Sequence, residues 1–154
     1  MSRPLEAKFY NPERKRWNIY DFEIVGLDHT IAQDLKDAFI ELVGHYHPRS
    51  RIQAWRSTRL LCSSIVERKI SFEDDCKDIL AGYALFLDSG KRLRKTIGSH
   101  YNFARRLVEW LSGVSESVFW KRQVIQLFDF TRERKNNRDN DISYNDLQRI
   151  VSVC

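Results

Sequence analysis

Phe72-Glu-Asp-Asp-Cys-Lys-Asp-Ile-Leu-Ala-Gly-Tyr-Ala-Leu-Phe-Leu87, the break Asp88-Ser-Gly90, and Lys91-Arg-Leu-Arg-Lys-Thr-Ile-Gly-Ser-His-Tyr-Asn-Phe-Ala-Arg-Arg-Leu-Val-Glu-Trp-Leu111 carry the clearest pattern in the chain. Cys76, Ile79, Leu80, Tyr83, Phe86 and Leu87 recur at helical spacing. They predict a helix from about Ser71, with Glu73, Asp74, Asp75 and Asp78 in its first turns, where acids suit the positive end of the dipole. Ile97, Tyr101, Ala104, Leu107, Val108 and Leu111 form a second stripe. Thr96 is its expected cap, and Gly113 lies just past its expected end.

Two more helices are expected upstream. Ile31, Leu35, Ala38, Phe39 and Leu42 mark one, capped by Asp28 or Thr30 and stopped by Gly44 and Pro48. Ser50-Arg-Ile-Gln53 reads as a capping box opening the next, with Ile52, Trp55, Cys62, Ile65 and Val66 on its buried stripe. The expected fold is therefore all-α, four helices over residues 28–113 in two crossed hairpins with short connections. Residues 1–27 read as a partly extended N-terminal arm, with the basic run Arg14-Lys-Arg-Trp17. Residues 114–141 read as a connecting segment and polar linker. Residues 142–154 open a further helix and look like the start of a second domain. Trp17, Trp55 and Trp120 are expected in the core or an interface, as are Tyr101 and Trp110.

The composition excludes several classes. Of the 154 residues 42% are hydrophobic, too many for a disordered chain. No apolar run approaches the roughly 20 residues of a membrane span, and Met1 to Lys8 hold no signal-peptide core. Cys62, Cys76 and Cys154 are too few and too widely spaced for a disulfide framework, so buried thiols in a cytoplasmic setting are expected. His45 and His47 have no nearby Cys, Asp or Glu to complete a metal shell, so no metal and no cofactor is expected.

The net charge of +5 is modest, but its distribution is uneven. Between Glu41 and Glu67 the formal charges are Arg49, Arg51, Arg56 and Arg59. Between Asp88 and Glu109 they are Lys91, Arg92, Arg94, Lys95, Arg105 and Arg106. These stretches hold no acid, and each covers the beginning of an expected helix. Cations there oppose the helix dipole unless an anion offsets them. Arginine gives bidentate phosphate or guanine contacts, and Thr96, Ser99, His100 and Asn102 supply short polar groups between the cations. Double-stranded DNA is the expected ligand. The bland alternative is a pair of ordinary solvated faces.

The run from Phe72 to Leu111 also resembles the core-binding (SAM-like) domain of the tyrosine recombinases, or phage integrases. Tyr83-Ala-Leu-Phe-Leu87 resembles the end of one of that family's helices. Thr96, Arg105, Arg106, Trp110 and Leu111 sit in places comparable to those of the next. Asp141-Ile-Ser-Tyr-Asn-Asp-Leu-Gln-Arg-Ile150 is similar to the opening of the family's catalytic domain. The resemblance covers residues 70–154, and 28–68 only by helix count and charge. It implies a clamp that covers one face of a duplex while a catalytic domain covers the other. It also implies DNA integration and recombination by the intact protein, self-association on DNA, and residence in the cytoplasm or on the nucleoid.

The family's cleaving residues are not assembled here, since no His is followed by Arg three positions later. The chain is expected to bind DNA and not cut it. The alternative function is a helical protein-interaction module, with Val118-Phe-Trp120 and Val124-Ile-Gln-Leu-Phe128 as an exposed patch.

Overall fold

A computed structural model describes residues 5–127. The expected linker at 131–141 and the helix start at 142–154 lie outside the described residues.

The chain is mostly helical, but it is not all-α. Strands β1 (Glu6–Asn11) and β2 (Arg16–Asp21) pair antiparallel, with Ala7 opposite Tyr20 and Tyr10 opposite Trp17. The turn between them has a local cause. The Asn11 carboxamide accepts from the N–H of Glu13 (3.1 Å) and Arg14 (3.3 Å), Pro12 presets its own φ, and Lys15 takes φ +51°. Alternation does the rest. Leu5, Ala7, Tyr20 and Phe22 turn inward and are buried, while Lys8, Tyr10, Trp17 and Ile19 turn outward. The expected arm is thus a hairpin seated on the core, and Trp17 is 59% exposed, not interior.

The hairpin's inner face completes an aromatic cluster. Phe22 meets Trp55 at 5.0 Å and Phe39 at 5.6 Å between ring centroids, mostly edge to face. Tyr20 lies 5.4 Å from both. Such contacts add to simple area burial.

Five helices follow among the described residues, four of them long. α1 (His29–Val43) is capped by Asp28, which accepts from Thr30 N (2.9 Å) and Ile31 N (3.1 Å). α2 (Pro48–Glu67) begins two residues before the expected capping box. Pro48, read above as a stop, is its first residue, where a missing N–H costs nothing. His47 is the cap, its Nδ1 accepting from Arg49 N at 3.2 Å. α3 (Ile79–Ser89) starts eight residues later than expected. Ser71 N donates to the Asp74 carboxylate (2.7 Å), and Glu73 N donates to Ser71 Oγ (3.3 Å). That local bonding closes a loop and removes Glu73, Asp74 and Asp75 from the helix. α4 (Arg94–Val114) follows Leu93, which supplies no side-chain cap, so Thr96 lies inside the helix, as does Gly113. α5 (Val118–Lys121) is a single turn.

Most core residues fall where periodicity placed them, but Ile52 of the expected α2 stripe is 41% exposed and Leu61, outside that stripe, is buried. Ile31, Leu35, Phe39, Leu61, Ile65, Leu80, Tyr83, Leu87, Tyr101, Leu107 and Val108 are all buried, and Trp110 is partly buried against them. Cys62 and Cys76 are free, buried thiols, and burial pushes the Cys62 thiol up to about 12 despite the Arg59 charge nearby. No helix among the described residues is long and apolar enough to cross a membrane.

One polar cluster locks the α3 end of the fold. Arg68 donates to the Asp78 carboxylate at 2.9 Å and to the Asp78 carbonyl at 3.2 Å. Gln123 donates to the Cys76 carbonyl (2.9 Å) and accepts from Ile79 N (3.2 Å). The guanidinium lies over Gly82, where an added Cβ would come within 1.8 Å of it. Asp78 is 2% exposed. Arg68→Ala is therefore expected to lower stability by about 3 kcal/mol, because it leaves a buried carboxylate unpaired. Adding Asp78→Asn is expected to recover part of the loss, read by urea denaturation.

Candidate nucleic-acid interface

The two acid-free stretches become neighbours. α2 and α4 pack side by side and antiparallel. Ser57 Oγ meets His100 Nδ1 at 2.7 Å near the middle, and Arg106 donates to the Tyr46 hydroxyl (2.6 Å) just before α2 begins. On α2 the exposed stripe runs Arg49, Gln53, Arg56, Arg59 and Ser63. On α4 it runs Lys95, Ser99, Asn102 and Arg106, with Thr96 exposed and His100 half-buried on the side facing α2. A cleft of about 330 Å³ between them is lined by Arg56, Arg59, Leu60, Ser63 and His100. His100 is held below its usual range, first by burial and then by the Arg92 and Arg56 charges.

Nine of the fourteen expected DNA-contacting residues lie on this face: Arg49, Arg56, Arg59, Lys95, Thr96, Ser99, His100, Asn102 and Arg106; a tenth, Lys91, is exposed in the turn before α4. The other four are otherwise engaged. Arg51 is 7% exposed, donates twice to the Tyr46 carbonyl (2.9 and 3.2 Å) and lies over the Phe9 ring, so it is a structural residue. Arg105 pairs with Glu109 at 2.8 Å on the opposite flank of α4. Its charge acts there on Tyr101, whose hydroxyl donates to the Gln126 carbonyl. Arg94 shares that flank by helical spacing and is half-buried. Arg92 folds back over Gly90 to the Leu87 carbonyl (3.3 Å), so it contributes charge beside the cleft rather than an extended side chain.

Sequence reasoning missed one contribution. The exposed hairpin tip, Arg14, Lys15 and Arg16, is held at the start of α2 by Glu13, whose carboxylate meets His47 Nε2 at 3.0 Å. Long-range placement of this kind leaves no local signal beyond the basic run itself.

The aromatic patch proposed for a protein partner does not form as expected. Phe119 and Trp120 are buried, Trp120 donating to Asp34 at 2.7 Å, while Val118, Val124 and Leu127 remain exposed. Phe128 lies outside the described residues. No group of three or more His, Cys, Asp or Glu among the described residues is placed to hold a metal ion. Comparison with protein-family models, curated proteins and solved structures finds no match for this chain.

Proposed function

We propose that this chain binds duplex DNA through the α2/α4 face, as the core-binding (SAM-like) domain of a tyrosine recombinase, and does so without cutting it. The observation that carries the reading is the pairing of two basic helix stripes with no acid between Arg49 and Ser63 or between Lys91 and Arg106. Random placement on a solvated surface mixes signs. Here Asp34, Asp37 and Glu41 fall on α1 and Glu73, Asp74 and Asp75 in the loop before α3, while Glu67 of α2 and Glu109 of α4 lie outside the two acid-free stretches.

The dimensions suit a duplex. A 20-residue helix such as α2 spans about 30 Å, close to the roughly 34 Å of one B-form turn. Arginines and lysines would contact phosphates along that turn. Ser99 and Asn102, exposed between the cations, have the right chemistry to read base edges. The hairpin tip continues the positive surface past the start of α2. Integration and recombination would belong to the intact recombinase, self-associated on DNA in the cytoplasm or nucleoid.

The test is a fluorescence-anisotropy titration with a labelled duplex between 50 and 300 mM salt. Binding is expected at low salt even without the cognate sequence, with a log–log slope of about −0.9 for each phosphate contacted. A flat salt response, or no binding at 50 mM, overturns the reading.

A further inference from the structure

We propose that the α2/α4 cleft is a seat for one phosphate group, and that filling it adds a proton to His100. This deepens the DNA-binding reading and rests on it for the source of the phosphate, a phosphodiester of the duplex backbone.

We take the ring in its Nδ1–H tautomer, which the contacts around Ser57 accommodate. Ser57 has one hydroxyl proton, and its Oγ lies 3.3 Å from the Gln53 carbonyl, which can only accept. With that proton directed to Gln53, the 2.7 Å contact with His100 requires Nδ1–H to donate to Ser57. The neutral ring then keeps its proton on Nδ1, and Nε2 is a bare acceptor. Tyr83 supports the arrangement from α3 by donating to the Ser57 carbonyl at 2.9 Å, and burial keeps that phenol protonated.

The cleft around the ring is cationic on every side that carries charge. Arg56 and Arg59 face it from α2, and Arg92 acts on it from the segment before α4. Ser63 adds a hydroxyl, and no carboxylate lines the cleft. An empty cleft of this kind favours the neutral ring, consistent with its depressed basicity. A phosphate shifts the balance. A phosphodiester's single negative charge, shared by its two non-bridging oxygens, offsets part of the arginine charge, and those oxygens accept a hydrogen bond that bare Nε2 cannot give. A proton from solvent on Nε2 turns the ring into a donor to phosphate while Nδ1–H stays on Ser57. Binding and protonation are then linked, so each favours the other by the same factor.

The sign is definite. The free ring titrates below its usual value and the phosphate-bound ring above the free one. Duplex affinity should therefore rise as pH falls through the interval between the two. The gain is about tenfold for each pH unit by which phosphate raises the ring's pKa.

The experiment follows duplex binding by anisotropy from pH 5 to 8 at fixed ionic strength, for the wild type and for His100→Gln. Gln keeps a hydrogen-bonding group at that position but cannot take up a proton. In parallel, the His100 ring is titrated by NMR with and without inorganic phosphate. The expected result is tighter wild-type binding at low pH, a flat profile for His100→Gln that is weaker than wild type by the low-pH gain, and an upward shift of the ring's titration with phosphate. A pH profile that survives His100→Gln unchanged, with the duplex still bound, overturns this inference and leaves DNA binding standing. A ring that responds to inorganic phosphate while no duplex binds at any salt supports the seat but overturns the duplex as its source, and DNA binding with it. Loss of duplex binding together with an unresponsive ring overturns both.

Discussion

Arg56→Glu, Arg59→Glu and Lys95→Glu combined in one chain are expected to weaken duplex binding at 0.1 M salt by at least about a hundredfold, and to flatten the log–log salt slope by roughly 2.7. All three side chains are exposed, Arg56 and Arg59 line the α2/α4 cleft and Lys95 lies on the exposed stripe of α4, so under the proposed function each reversal removes a phosphate partner and adds a repulsive carboxylate. Their effect on stability should stay within about 0.5 kcal/mol each, because none packs into the core. The control is Lys69→Glu, Lys77→Glu and Lys121→Glu, which changes net charge equally at exposed positions off this face. If net charge alone drives association, the two triple variants lose affinity alike. If the paired stripes do, the control retains most of its affinity and nearly all of its slope. Equal losses would reduce the α2/α4 face to an ordinary part of a basic surface.

The fold was legible wherever burial is periodic. The apolar positions of α1 and α4 at three- and four-residue spacing are the positions the core covers, as are Cys62 and Ile65 of α2 while Ile52 stays exposed, since one buried stripe per helix is all that packing demands. Boundaries were less legible, because they are decided by single side chains with more than one use. Pro48 can end a helix or occupy the first position of one, and His47 supplies the cap that settles it. Asp74 can favour a helix dipole or close a loop on Ser71, and it does the second. The hairpin was missed for another reason. Its inner residues, Ala7, Tyr20 and Phe22, acquire a role only when Phe39 and Trp55 arrive from helices distant in sequence.

The same limit applies to the site. Formal charge along the chain identified both stripes, but it could not separate Arg56, which faces solvent, from Arg51, which a ring and a carbonyl hold inside. Helical phase alone separates Lys95 from Arg94 and Arg106 from Arg105. In each pair one residue faces the cleft side and its neighbour the Tyr101 flank, and a basic dipeptide straddling a helix ridge does not reveal which way it divides.

Trp120→Ala should be the most damaging single substitution in the fold, lowering unfolding free energy by about 3–5 kcal/mol, or roughly 10 °C in melting temperature. The side chain is fully buried, stands edge to face on Phe119 at 5.0 Å, and donates its indole N–H to Asp34 on α1. Trp120→Phe separates these contributions. It keeps most of the ring and removes the donor, for an expected loss of about 1–2 kcal/mol. That loss should depend on pH. Burial holds the Asp34 carboxyl above its usual range, the Trp120 hydrogen bond draws it back down, and Asp37 and Asp28 push it up. The folded chain therefore binds this proton more tightly than the unfolded chain does. Asp34 contributes most stability below its unfolded value near 3.9 and loses that contribution as pH rises to its folded value. Removing the indole donor raises the folded value further, so the deficit of Trp120→Phe should widen as pH rises through that window. Urea denaturation between pH 3 and 6 reads it, and a deficit constant across the range would mean that the hydrogen bond does not stabilise the carboxylate. Because Trp120 reaches α1 and not the α2/α4 face, the folded Phe variant should keep the wild-type salt slope for duplex binding. Stability and recognition then separate on opposite sides of the helical core.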